Sequence, residues 1–228
     1  MRAAIPNAIT LTNLLFGCIG ISLAAWGDLP GAARMLYLAA VMDFLDGFAA
    51  RAMNAQSAIG KDLDSLSDVV SFGVLPAFLL FQLAASVPGI EYTEYGVFVI
   101  ALASALRLAR FNHDTRQTDG FIGLPTPANG ILIASLTIYF TSTTGSLDGL
   151  RKEYLLAASA LLSYLLLSPI PMVAFKFKSF AWTGNQARYL FLLFSAVLLL
   201  WYSYLGLAFV ILAYISWSFI GLLTKRSK

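Results

Sequence analysis

The apolar run from Tyr189 to Leu223 carries no charged residue, and its length limits what this chain can become. As one straight helix rising about 1.5 Å per residue it would be roughly 50 Å long, against a hydrocarbon core of about 30 Å. The run must therefore break. Tyr202, Ser203, Tyr204 and Gly206 cluster polar and flexible residues near its middle, so the sequence predicts two spans, 188–204 and 206–223. Six further stretches of membrane-spanning length lie near 8–26, 32–52, 62–85, 93–111, 127–144 and 153–170. The predicted fold is an all-α, polytopic membrane helical bundle of about eight transmembrane helices. With 59% apolar and 12% charged residues and a mean hydropathy of +0.77, the chain is far from an ordinary soluble domain.

Cytoplasmic loops of membrane proteins carry an excess of Lys and Arg. With the N-terminus inside, the inner loops collect Arg2, Arg51, Lys61, Arg107, Arg110, Arg116, Lys176, Lys178, Arg188, Lys225, Arg226 and Lys228. The outer loops have only Arg34, Arg151 and Lys152. The expected placement is a multi-pass protein of the cell (cytoplasmic) membrane, with the 51–61 turn and the 107–123 loop in the cytoplasm. The net charge of +3 sits at membrane edges and not on one stripe, which points to membrane lipids as partners and to no nucleic acid. Residues 14–26 after Arg2 have signal-peptide features, but the many similar spans that follow predict a retained first helix.

Every connection is short, and Pro and Gly mark the turns at Asp28-Leu29-Pro30-Gly31, Val87-Pro88-Gly89, Leu124-Pro125-Thr126-Pro127 and Ser168-Pro169-Ile170-Pro171. One bundle is expected, without separate soluble domains. The single Cys18 excludes an intrachain disulfide.

Four of the nine aspartates, Asp43, Asp46, Asp64 and Asp68, fall near the inner ends of the second and third spans. An unpaired carboxylate there is costly, so these residues need a reason. Asp43 and Asp46 are three apart and Asp64 and Asp68 four apart, so each pair shares a helix face. A turn between Met53 and Gly60 makes the two helices antiparallel and lets the pairs converge. Four such carboxylates cannot all stay ionised without a cation, and an all-oxygen site suits hard divalent ions. Gly47, Ala50 and Gly60 leave room for a ligand to approach the helices, and Arg51 is placed to meet a carboxylate or a phosphate. From spacing alone, a structural ion-pair network or a transporter's ion path remain alternatives.

Asp43-x-x-Asp46-Gly47-x-x-Ala50-Arg51, then eight residues, Gly60, three residues, Asp64, three residues and Asp68 resembles the signature of the CDP-alcohol phosphatidyltransferase family at every fixed position. The resemblance implies two divalent ions, Mg²⁺ or Mn²⁺, held by Asp43, Asp46 and Asp64 on the pyrophosphate of a CDP-linked lipid. Asp68 is the implied general base, and contact with a metal as well would merge its two roles. Gly47, Ala50, Arg51 and Gly60 would line the nucleotide site, and a homodimer is expected. Residues 1–170 would form the catalytic bundle, and 171–228 an inner loop with two additional C-terminal helices.

The segment from Asp64 through Ser71-Phe72-Gly73 to Pro76 is similar to the phosphatidylserine synthases of that family. So are Arg107-Leu108-Ala109-Arg110-Phe111-Asn112, Phe121 to Pro127, and Pro6-Asn7-x-x-Thr10-x-x-Asn13. The implied reaction transfers the phosphatidyl group of CDP-diacylglycerol to L-serine, with glycerol 3-phosphate or inositol phosphate as the alternative acceptors and a cation-coupled transporter as a more distant reading.

Asn7, Thr10 and Asn13 recur every three residues on an apolar helix, either to contact the CDP-lipid or to bond helix to helix. Arg107, Arg110 and Asn112 are the candidate serine-binding residues, because serine offers a carboxylate and Arg holds carboxylates through two parallel bonds. The two arginines are equally readable as cations reaching toward the membrane surface. His113 sits among Asp114, Arg116 and Gln117 and reads as a solvated loop residue, while Trp26, Trp182 and Trp201 read as interfacial anchors. Lys176, Lys178 and Arg188 could draw anionic lipid toward the site.

Overall fold

The computed structural model describes residues 3–113, 121–143, 147–173, 182 and 185–226. Helices dominate: α1 (Ala4–Ala25), α2 (Leu29–Ala52), α3 (Ala58–Asp68), α4 (Leu75–Ala85), α5 (Val99–His113), α6 (Thr126–Ile138), α7 (Lys152–Leu167) and α8 (Gln186–Arg226). The protein is all-α, and among the described residues three helical stretches, Ala4–Ala25, Ala58–Ala85 and Gln186–Leu222, are long and apolar enough to cross a membrane. Arg2, Arg116, Lys176, Lys178 and Lys228 lie outside the described residues, as do the side chains of Lys225 and Arg226.

Local chemistry explains the boundaries. Asp28 caps α2 by accepting the Gly31 N–H at 2.8 Å, with Pro30 in the first turn, where its missing N–H costs nothing. Ser57 caps α3 in the same way, accepting the Gly60 N–H at 3.0 Å. Between α3 and α4 the helix widens to π geometry over Val69–Val74. Pro76 follows at once; it cannot donate to the preceding turn, and the wider turn also relieves its ring from the carbonyl below.

The fourth apolar stretch behaves differently from its hydropathy. Thr93–Phe98 is a 3-10 helix, and the α-helix begins only at Val99. Glu94 in that short turn accepts a 2.8 Å salt bridge from Lys152 at the start of α7, which ties the turn to a neighbouring helix.

The last apolar run breaks where its length requires. Ser203 leaves helical geometry at φ 48°, ψ −120°. A Cβ on Gly206 would lie 2.8 Å from the Leu198 carbonyl carbon, an approach only glycine permits. Ring pairs across the break run antiparallel, Tyr202 with Phe209 at 5.5 Å and Phe191 with Trp217 at 5.1 Å. α8 is thus two limbs, 186–202 and 204–226, folded against each other.

α6 is central, packing on α2, α4 and α8, while α1 lies against α2, α3 and α4, and α5 against α7. Phe72, Leu36, Leu75, Leu79 and Ile133 fill the core between them. A short antiparallel pair, β1 (Phe121–Ile122) with β2 (Pro171–Met172), joins the loops before α6 and after α7. Hydropathy gave no sign of it, because each strand has only two residues. The first turn of α1, the α2–α3 turn, the end of α5 and the start of α6 all meet at this end of the bundle.

Candidate active site

α2 ends in a tight reversal. The Ala55 N–H donates to the Ala50 carbonyl at 2.9 Å, and Asn54 takes the left-handed φ of 49° that Asn tolerates. α3 therefore returns beside α2, and carboxylate oxygens of Asp43, Asp64 and Asp68 come within 4.8 Å of one another. Asp46, about one turn nearer the reversal, is not one of the three whose oxygens lie this close. It is buried, and among the described residues its Oδ2 has no hydrogen-bond partner. An oxygen-only donor set this close, with an orphaned carboxylate oxygen beside it, fits hard divalent cations.

α1 closes the site from the other side. Ser67 and Ser71 of α3 and its π continuation donate to the carbonyls of Thr10 and Asn13 at 3.2 and 3.1 Å. Gly17 permits this approach, since its Cβ would meet Ser71. Asn13, fully buried, donates from Nδ2 to Asp68 Oδ1 at 3.3 Å. That contact fixes Asp68 within the triad and makes Asn13 a bond from helix to helix.

Two cavities flank the aspartates. The larger, about 680 Å³, is lined by Asn7, Thr10, Asp46, Gly47, Ala50, Arg51, Gly60, Lys61 and Asp64. Asn7, Thr10, Gly47, Ala50, Arg51 and Gly60, all expected to contact the CDP-lipid, are there, whereas Asn13 is not. The two glycines matter sterically: a Cβ on Gly47 would lie 3.3 Å from the Arg51 guanidinium, and one on Gly60 3.2 Å from Asn7 Oδ1. The smaller cavity, about 220 Å³, is lined by Asp43, Asp64, Asp68, Lys61, Ser65, Arg107 and Asn112, with Phe111, Pro125 and Pro127. Asp64, Lys61 and Phe111 belong to both.

Residues 3–166, from α1 to the last turn of α7, match the sequence model of CDP-alcohol phosphatidyltransferases. The chain belongs to this family. The matched region holds both cavities and all four aspartates of the family signature. Among curated relatives, the CDP-diacylglycerol–serine O-phosphatidyltransferase of Bacillus subtilis is 31% identical over 178 residues, covering 75% of this chain and 91% of the relative. The enzyme of the same name from Methanocaldococcus jannaschii is 38% identical over 129 residues, 57% of this chain and 58% of its own length. The archaetidylserine synthase of Methanothermobacter thermautotrophicus is 34% identical over 164 residues, 70% of this chain and 66% of its own length. The chain thus spans less than two thirds of both archaeal relatives.

The two arginines expected at the acceptor site part company. Arg107 is buried and donates from Nη1 to Thr126 Oγ1 at 3.0 Å, while its Nε has no partner among the described residues. Arg110 is exposed and lines neither cavity. Three residues turn the helix by roughly 300°, and the remaining 60° is enough to move Arg110 off the cavity wall. Asn112 does reach the wall, donating to Ser65 Oγ at 2.8 Å. His113 is exposed at the end of α5 and lines neither cavity. The sequence reading missed Lys61, Ser67, Ser71 and Thr126. Small and hydroxyl residues facing each other on α1 and α3 were the available signal for the two serines.

Proposed function

We propose that this chain transfers the phosphatidyl group of CDP-diacylglycerol to the hydroxyl of L-serine, giving phosphatidylserine and CMP. The observation that carries the reading is the pair of unequal cavities meeting at Asp64, with Asp68 and a buried arginine on the smaller side. The names of the relatives support it. Two divalent cations, Mg²⁺ or Mn²⁺, would be held by Asp43, Asp46, Asp64 and Asp68. When bound, they would neutralise the pyrophosphate.

The chain's own residues divide the remaining work. Asn7, Thr10, Gly47, Ala50, Arg51 and Gly60 bind the cytidine and phosphates in the larger cavity. Serine enters the smaller one with its carboxylate on Arg107, whose uncommitted Nε is a spare donor. Asp68, held by Asn13, removes the hydroxyl proton as the serine oxygen attacks the phosphorus bearing diacylglycerol. The bond from that phosphorus to CMP breaks, and no covalent enzyme intermediate is required. Arg110 has no part in this scheme. The protein works as a homodimer with about eight spans in the cytoplasmic membrane, its site facing the cytoplasm, where the excess of basic loop residues belongs.

The test offers labelled serine, glycerol 3-phosphate or inositol phosphate to the purified protein with CDP-diacylglycerol. Label is expected in lipid from serine alone; label from glycerol 3-phosphate instead would overturn the acceptor. Arg107→Ala should raise the serine KM by at least ~30-fold, as expected when one partner of a buried charge pair is lost. Arg110→Ala should leave that KM within about threefold. Equal effects at the two positions would remove Arg107 from its role.

A further inference from the structure

Three cations approach the aspartates in different places. Arg51 lines the larger cavity, Arg107 the smaller, and Lys61, alone among the described cations, lines both. The group that moves between donor and acceptor must pass where the cavities meet. On the reaction proposed above, we infer that Lys61 contacts the phosphoryl group in transit and stabilises the negative charge that builds on its oxygens.

Lys61 is equipped for this position. It lies one turn before Asp64 on α3, with its ammonium held at the junction by a 2.8 Å bond from Nζ to the Asn112 carbonyl. Asn112 is itself fixed to α3, because its Nδ2 donates to Ser65 Oγ at 2.8 Å, one turn beyond Lys61. An ammonium has three N–H donors and the carbonyl takes one, so two remain for phosphoryl oxygens. A donor anchored before the substrate arrives needs no reorganisation during the reaction, and this makes a preorganised charge effective. The long stem leaves the head reachable from both sides, whereas Arg51 and Arg107 are each confined to one cavity.

The chemistry is balanced without further reactants. The serine oxygen forms a bond to phosphorus, its proton passes to the Asp68 carboxylate, and the bond to CMP breaks with CMP leaving as a phosphate anion. Lys61 neither gains nor loses a proton. It interacts with the non-bridging oxygens of the transferred phosphoryl group, which are the same whatever the acceptor, so its role is separate from the choice of alcohol.

The alternative is that Lys61 only ties α3 to the end of α5. The test is steady-state kinetics of the purified full chain in detergent with CDP-diacylglycerol and serine, comparing Lys61→Met with the parent. The expected result is a fall in kcat of about 10²–10³-fold, the size seen when one charge-stabilising donor is lost. The KM values for both substrates should stay within about threefold. Lys61→Ala in the presence of methylammonium should regain part of the lost rate, which a broken tie between helices would not do. A kcat within threefold of the parent, a loss carried only by the serine KM, or no recovery with the amine would each overturn the inference. A parent that accepts another alcohol would change the lipid formed and leave the same Lys61 effect; a parent that releases no CMP would remove the proposed reaction itself.

Discussion

Asp68→Asn should lower the rate of CMP release about 10²–10⁴-fold, the range contributed by a positioned general base. The substitution keeps the shape of the side chain and removes its ability to take a proton together with its negative charge, so the rate is measured at saturating Mg²⁺ or Mn²⁺ to offset any weakened ion binding. Asp68 is 6% exposed and is held through Oδ1 by Asn13, a bond that the amide oxygen of the substituted side chain can equally accept. Folding should survive, and removing one charge from a crowded set of carboxylates should leave the thermal unfolding midpoint unchanged or raised in chelator. Single-turnover CMP release measured beside thermal unfolding separates the two effects. A variant within threefold of the parent rate would exclude Asp68 as the base.

Removing divalent ions should have an effect as large, and on two readouts. With EDTA, CMP release should fall to background, because nothing would then balance the charge of the pyrophosphate against Asp43, Asp46, Asp64 and Asp68. Stability should fall as well. Three carboxylates within 4.8 Å and a fourth with an orphaned oxygen repel one another when nothing neutralises them. An ion at about 100 times its Kd stabilises the folded state by about 2.7 kcal/mol, and this is lost on chelation. Differential scanning of the detergent-solubilised protein, with and without EDTA, should show a lower midpoint that returns on adding Mg²⁺ or Mn²⁺. Full activity in chelator with no shift in unfolding would show that the cluster holds no functional ion.

Several features were legible in the sequence because they depend on neighbours along the chain. The turns before α2 and α3 and the break near Ser203 follow from residues within a few positions of each event, although α2 and α3 start at Leu29 and Ala58, ahead of the 32 and 62 read from hydropathy, because Asp28 and Ser57 cap them. The placing of Asp43 and Asp46 on one helix and Asp64 and Asp68 on the next follows in the same way. The fourth stretch shows where hydropathy misleads. Thr93–Phe98 is apolar enough to read as the beginning of a span, yet Glu94 is drawn to Lys152, 58 residues away, and the helix starts later.

By itself, then, the sequence determined a bundle of apolar helices, the four carboxylates at one end of it and the chemistry that such carboxylates can support, since helical period and hydropathy are local properties. Only the tertiary structure decided which of two similar residues faces a cavity. It put Arg107 in a cavity and Arg110 outside, turned Asn13 toward Asp68, and set Lys61 at the junction of the two cavities. These outcomes depend on the rotation of each helix about its own axis. That rotation is set by contacts such as Asn13 with Asp68 and Lys61 with Asn112, 55 and 51 residues apart, and no periodicity in the chain encodes them.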